Sequence, residues 1–355
     1  MAGEQGDDEG VTGRKELQYL ELAFTESMAV KCILELRIPD IIHSHGSSIS
    51  LSQIAMDIGS PSLNIAYLSR VMRLLVHKKV FTATHHHHQS AETLYGLTHS
   101  SRLLLRDNAE MTMAPILLMN TNPWLMDPWH QLSAAIKDGV NVFNKAYGSS
   151  LWELASTNPE LNNMLNSGLE CVTKFVAEDI LKVYKDGFQG IETLVDVGGG
   201  KGCLVSEIVK AYSPRIKGIN FDLKHVVETA PEYNGVTHVG GDMFDSIPNA
   251  DAIIMKSVLR NWSDEHCIKI LSNCKTALSK AKRKLIVVET VVEAEEEGSL
   301  DELALKFDLL MMVHCVGGRE RTRLEWIKLL KDAGFSQCKF TKTPHLQSII
   351  EAYAS

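Results

Sequence analysis

One stretch constrains the fold more than any other: Leu194-Val-Asp-Val-Gly-Gly-Gly-Lys-Gly202 carries an apolar, β-branched strand into a glycine-rich turn, and a helical pattern follows at Cys203–Ala211. Glycines in such a turn adopt positive φ and let the backbone approach a ligand closely. Apolar runs recur at 217–221, 252–255 and 284–291, separated by helical segments. This alternation predicts an α/β fold, a doubly wound, Rossmann-like parallel sheet covered on both faces.

The loop alone fits either a plain turn or a dinucleotide site. Asp222 closes the second run, twenty residues after Gly202, where a carboxylate takes ribose hydroxyls. Gly241-Asp242-Met243-Phe244 then offers a carboxylate for an adenine amino group, with a thioether and a ring for its faces. Ordinary turn and core residues are the competing reading of that tetrapeptide.

A formal charge of -8 and pI near 6.0 leave no basic surplus for phosphates, which argues against nucleic acid and anionic membranes. The acidic, Gly-rich start has no apolar core and no stretch reaches membrane-spanning length, so a cytosolic protein is expected. Seven scattered cysteines without a CxxC pair read as reduced, mostly buried small hydrophobes.

Toward the N-terminus, Leu20, Phe24, Met28, Cys32 and Leu36 recur every four positions, which predicts one helix over 15–36, buried on most of its surface at a packed interface. Ser50 and Gln53 predict a capped helix ending at Gly59; Leu68, Val71, Met72 and Leu75 predict another. Strands at 80–84 and 93–97 around a polar loop complete the outline of a winged helix. The acidic balance favours a dimer scaffold over a DNA binder. The run His85–His88 lacks a carboxylate or cysteine partner and reads as solvated, so no metal is expected. From Leu103 to Tyr184 the chain reads as mainly helical; its Met-rich stretch, Met111–Met126, packs a core or walls a pocket for a flat ring.

In order, LVDVGGGKG, INFDLKHVV, GGDMF, IIMKSVLRNWSDEHC, GGRERT and IIEAY resemble the motifs of plant small-molecule O-methyltransferases over nearly the whole chain. Within that family, IPDIIHSHG, RLLVHKKVF, TNPWLMDPW, YKDGF and KGINFDL are most similar to benzylisoquinoline alkaloid enzymes. The resemblance implies a helical, winged-helix dimerisation domain over 1–115 and an S-adenosylmethionine-dependent methyltransferase domain over 116–355, in a homodimer or a heterodimer with a related methyltransferase. It implies that Gly199, Asp222, Leu223, Asp242, Met243 and Lys256 hold the methyl donor, with Trp262 beside the adenine. Met119 and Asn120 match the pocket of a small phenolic substrate. Glu289 and Glu320 match two glutamates that hold a catalytic histidine.

That histidine is absent. The expected Leu-His-Asp-Trp reads Leu259-Arg260-Asn261-Trp262 here. A phenol of pKa about 10 is ionised to roughly 0.1% at pH 7, and a guanidinium donates hydrogen bonds but does not accept the proton. Three outcomes stay open for Arg260. It stabilises a phenolate or carboxylate of the substrate while Glu289, Glu320 or His314 takes the proton; the chain binds the donor without methylating; or the fold has moved to non-methyl chemistry. A buried salt bridge from Arg260 to Glu289 or Glu320 is the plain structural reading. Lys201 and Ser257 also depart from the family pattern, which has a small residue and a tryptophan at those places.

Overall fold

The computed structural model describes residues 2–85, 92–106, 111–278, 284–293 and 299–354. They divide into two compact units, Met1–Asn122 and Pro123–Ser355.

In the first unit the periodicity over 15–36 resolves into two helices, Ala2–Glu21 and Phe24–Glu35. Thr25 causes the break: its N–H and its hydroxyl both donate to Leu22 O, at 3.0 and 2.7 Å, and take that carbonyl out of the helical ladder. Burial is also divided. Ala29, Ile33 and Leu34 enter the core, whereas Leu20 is 73% and Phe24 59% exposed in this chain. The expectation of one continuous helix over 15–36 is corrected to two.

The helix Leu51–Ile58 starts with Ser50 Oγ accepting Gln53 N–H at 3.2 Å and ends at left-handed Gly59. Leu68, Met72 and Leu75 seat the helix Ile65–His77 in the same core. A three-stranded sheet accompanies them, in the order β1 (Ile49–Ser50), β3 (Thr93–Leu97), β2 (Phe81–His85). Most of the histidine run, residues 86–88, lies outside the described residues. The expected division at 115/116 falls inside the helix Ala114–Asn120. Ala114, Leu117 and Leu118 pack into the first unit's core, so the whole helix stays with it.

The second unit is built on one large sheet, ordered β10-β11-β8-β7-β4-β5-β6. Its strands are β4 (Thr193–Val197), β5 (Lys217–Asp222), β6 (Val236–Gly240), β7 (Ala252–Lys256), β8 (Lys284–Val292), β10 (Phe335–Lys342) and β11 (Gln347–Ala354). The short β9 (Arg321–Thr322) pairs in parallel with the end of β8. Alternate residues serve opposite faces. Leu194, Ile254 and Ile286 meet helices Pro159–Val183 and Cys203–Tyr212, while Val195, Ile253 and Val287 meet Asp264–Ala277 and Arg323–Asp332.

The sheet is not purely parallel, because β11 runs antiparallel to both β8 and β10. The sequence reading assigned neither β6 nor the β10–β11 hairpin. Both β6 and β10 are edge strands, and edge strands with one solvated face carry polar residues that hide the apolar run. The four neighbours β5, β4, β7 and β8 run parallel, which brings the ends of the first three and Glu289 of β8 to one rim of the sheet. In open α/β sheets ligands bind at that rim.

Candidate active site

On one side of the rim the backbone does most of the shaping. Gly198 N–H donates to Phe221 O at 2.8 Å, and Gly200, at φ 58°, donates to Asp222 Oδ2 at 2.7 Å. Asp222 Oδ1 accepts Leu223 N–H at 2.7 Å. A carboxylate oxygen has two lone pairs, so each Asp222 oxygen keeps one for a ribose hydroxyl. Burial raises the Asp222 carboxyl above the ordinary carboxylate range, against the pull of these two N–H groups. Gly199 admits no side chain: a Cβ there would lie 2.3 Å from Asn220 Oδ1 and 2.7 Å from Asp196 Oδ2.

Two residues that sequence reasoning passed over support this turn. Asn220 Nδ2 donates to Gly200 O at 2.9 Å, and Asp196 is buried beneath the loop with its Oδ2 unpartnered among the described residues. Desolvation pushes Asp196 up to about 7, opposed by nearby Lys256. Both lay inside the quoted motifs; their inward position was the missing signal. Asp242 Oδ1 accepts Phe244 N–H at 2.8 Å, and Phe244 meets Trp262 edge to face at 4.8 Å. Leu223 keeps 40% exposure beside Asp222, and Met243 is half-buried against the core beside Asp242. Polar acceptors with spare lone pairs, flanked by a thioether and an indole, fit the ribose and adenine of a nucleoside-bearing donor.

The other side is built from buried charge. Arg260 stands in a short 3-10 turn, Leu259–Asn261, after β7. Its side chain is 7% exposed and that of Glu320 fully buried, with Arg260 Nη2 2.6 Å from Glu320 Oε1. The approach is close but off the line of a hydrogen bond, and among the described residues both Glu320 oxygens lack one. Glu289, in β8, accepts Arg260 N–H at 3.2 Å through Oε1, and its Oε2 is also unpartnered among the described residues. The expected buried pair is therefore with Glu320, while Glu289 holds the Arg260 backbone.

From the helix Ser299–His314, Met311 Sδ accepts from Arg260 Nε at 3.0 Å, Phe307 faces the guanidinium at 5.1 Å, and Asp308 Oδ1 takes Glu320 N–H at 2.8 Å. Burial drives Glu320 up to about 8 against the attraction of Arg260, and also raises Glu289. Desolvation lowers half-buried Lys256, which feels Glu289, Asp196 and Arg260. His314 is buried: its Nε2 lies 2.8 Å from Leu125 O, and Leu310 O bonds the ring as well.

Arg321, next to Glu320, is fully buried and bonds Leu259 O, Trp262 O and Asp264 at 3.1, 2.8 and 2.9 Å. The dipeptide thus grips the 259–262 turn from two sides. Ser257 takes a left-handed φ of 56°, and Asn261 Nδ2 donates to Ser257 O at 3.0 Å. An ionised aspartate at 261 would have no proton for that bond.

Met119 and Asn120 lie on the last turn of Ala114–Asn120 in the first unit; Met119 is buried, and Asn120 Oδ1 has no hydrogen-bond partner among the described residues. No described helix is long and apolar enough to cross a membrane. All seven cysteines are free, five of them buried.

Comparison with known proteins follows the same division. The O-methyltransferase dimerisation domain family matches residues 18–107, and the O-methyltransferase domain family matches 129–336. The chain is 47% identical over 352 residues to (R,S)-reticuline 7-O-methyltransferase of Papaver somniferum, covering 98% of each. It is likewise 47% identical to desmethylxanthohumol 6'-O-methyltransferase of Humulus lupulus, over 97% of this chain and 99% of the other. Human N-acetylserotonin methyltransferase, solved in complex with SAM, shares the fold at TM-score 0.84 and 21% identity, over 97% and 98% of the two chains. The chain belongs to the O-methyltransferase family: it is an S-adenosylmethionine-dependent O-methyltransferase that carries its own dimerisation domain.

Proposed function

We propose that this chain methylates a phenolic hydroxyl of a plant specialised metabolite, of benzylisoquinoline alkaloid or of phenylpropanoid and flavonoid type. In this reading Arg260 stands where the family resemblance places a catalytic histidine. The names of the relatives, a reticuline and a desmethylxanthohumol O-methyltransferase among them, support that substrate range. S-adenosylmethionine supplies an electrophilic methyl group on a sulfonium. Asp222 takes its ribose hydroxyls, Asp242 its adenine amino group, and Leu223, Met243 and Trp262 flank the ring. Gly199 lets the turn that faces the donor close down on Asn220 and Asp196, where a Cβ would collide, and Lys256 lies at the end of β7.

Arg260 supplies a fixed positive charge for the acceptor oxygen. Preorganised charge in a water-poor site acts without reorganisation at the moment of transfer. The carrying observation is the rigidity of this residue: Glu289 on its N–H, Glu320 at 2.6 Å, Met311 on Nε and Phe307 against its face. Met119 and Asn120 are assigned to the acceptor pocket on the resemblance alone. The dimer joins two copies of this chain or this chain and a related transferase; light scattering on the purified protein distinguishes monomer from dimer.

The test is transfer of labelled methyl from S-adenosylmethionine to a panel of plant phenols, with calorimetry of S-adenosylmethionine and S-adenosylhomocysteine alongside. Micromolar binding of both and a methylated phenol are expected. Absence of binding overturns the donor assignment. Binding without transfer to any phenol overturns the transferase reading and leaves a donor-binding dimer partner.

A further inference from the structure

We infer that His238 is a positioning residue for methyl-donor binding: it sets the direction of the Asn220 amide and through it the shape of the glycine turn, so donor affinity falls when the imidazole takes a proton. This rests on the assignment of the donor to that turn and adds a control to it.

The ground is a polar row across three neighbouring strands. Asp196 of β4 stands opposite Asn220 of β5, and Asn220 stands opposite His238 of β6. Asn220 is fully buried, and its amide nitrogen lies 2.9 Å from Gly200 O and 3.0 Å from His238 Nδ1. His238 Nε2 lies 2.9 Å from Pro231 O. A carbonyl only accepts, so Nε2 carries the proton and Nδ1 offers its lone pair to Asn220. The ring also abuts the end of the turn, where a Cβ on Gly202 would lie 3.0 Å from His238 Cε1. Gly200 passes the constraint on, since its N–H donates to Asp222 Oδ2 at 2.7 Å.

Charging the ring reverses the first link. A protonated Nδ1 meets the Asn220 nitrogen donor to donor. Turning the amide over relieves the conflict: Oδ1 accepts Nδ1–H, and Nδ2 swings toward Asp196. That exchange is open because Asn220 Oδ1 and Asp196 Oδ2 both lack a hydrogen bond among the described residues. The two oxygens lie 2.3 and 2.7 Å from one point, the place a Gly199 Cβ would take. Gly200 O then faces an oxygen in place of an N–H, and the turn that holds Asp222 loses its support.

Other titratable groups surround the ring. Tyr233, at 6.2 Å between ring centroids, and Glu232 belong to the loop before β6; Cys203 opens the helix after the turn; Lys224 and His225 lie on the crossover helix Lys224–Val227. Glu170 and Glu207 act on Tyr233 from the helices Pro159–Val183 and Cys203–Tyr212. Both ring nitrogens are taken by Asn220 and Pro231.

Calorimetry of S-adenosylhomocysteine reads the positioning. His238→Leu removes the acceptor, and the Kd at pH 8 is expected to rise about 10-fold, the worth of about one hydrogen bond. In His238→Asn the side-chain oxygen takes the place of Nδ1 and is expected to restore most of that affinity. An unchanged Kd in His238→Leu, folded by circular dichroism, overturns the inference, as does an equal loss in His238→Asn. Absence of binding by the unaltered enzyme overturns the donor assignment itself.

Asp196 and Asp222, both raised by burial, also take up protons on acidification, so the pH dependence is read on the ring. Enzyme labelled at histidine is titrated by NMR with and without S-adenosylhomocysteine. The Nε2–H tautomer is expected at pH 8. Because donor and proton oppose each other, the His238 midpoint is expected to fall by about one pH unit on binding, the reciprocal of a 10-fold change in Kd. An Nδ1–H tautomer, or a midpoint that the ligand leaves in place or raises, overturns the inference.

Discussion

The two halves of the site use opposite means. Around 196–222 the chain holds a ligand surface with backbone N–H groups, a glycine that excludes any side chain, and an aspartate with one lone pair left on each oxygen. Around Arg260 the surface consists of long side chains from four separate segments that satisfy one another only in part, with both Glu320 oxygens and Glu289 Oε2 lacking hydrogen bonds among the described residues. The first arrangement is written into one strand–turn–helix and its neighbour strand, so it tolerates change elsewhere. The second exists only when distant segments meet.

The sharpest way to break this contrast is at the charged half. Measured above pH 8, where its carboxyl is ionised, Glu320→Ala leaves a buried guanidinium without its carboxylate, and such breaks cost about 3–5 kcal/mol. The expected outcome is a large loss in urea-unfolding free energy, while donor binding by the remaining folded fraction persists. Equal loss of donor affinity would show that the halves are not independent. Asp222→Ala is the converse: charge-assisted hydrogen bonds are worth about 1.5–3 kcal/mol each, so the Kd for S-adenosylhomocysteine should rise by about 100-fold with stability falling less.

Gly199→Ala is a smaller and more local test. Its Cβ collides with Asn220 and Asp196, and overpacking of that kind costs about 1–3 kcal/mol. Donor affinity and melting temperature should fall together. The gentlest probe is pH. Folding raises Asp196 to about 7 and Glu320 to about 8, so between roughly pH 4 and 8 the native state holds protons that the unfolded state has released. With more protons bound in the native state, stability falls as pH rises through that window and levels off above it. Urea midpoints measured from pH 5 to 9 check the sign, and Glu320→Gln should flatten the upper part of the decline.

How much of this was legible beforehand depended on range along the chain. Thr193–Val197 and Asp222 were readable because strand, turn and carboxylate follow in one local pattern, and the structure puts them together. The edge strands β6 and β10 were not, since solvation of one face dilutes their apolar signal. The helix over 15–36 was misjudged because periodicity does not register a threonine that captures a carbonyl. Asp308, Phe307 and Met311 carried no signal as partners of Arg260, although their spacing of four places Phe307 and Met311 on one helical face.

By itself, then, the sequence determined the order of the central strands and helices, the glycine turn with Asp222 closing the next strand, and an arginine at position 260. These follow from periodicity and nearest-neighbour chemistry. Tertiary structure alone decided which of the two glutamates pairs with Arg260, that Met311 accepts from its Nε, that Glu289 grips its backbone, and that β11 reverses the sheet. The reason is physical: the energy of a buried charge depends on which partners reach it through space, and distance along the chain does not encode that.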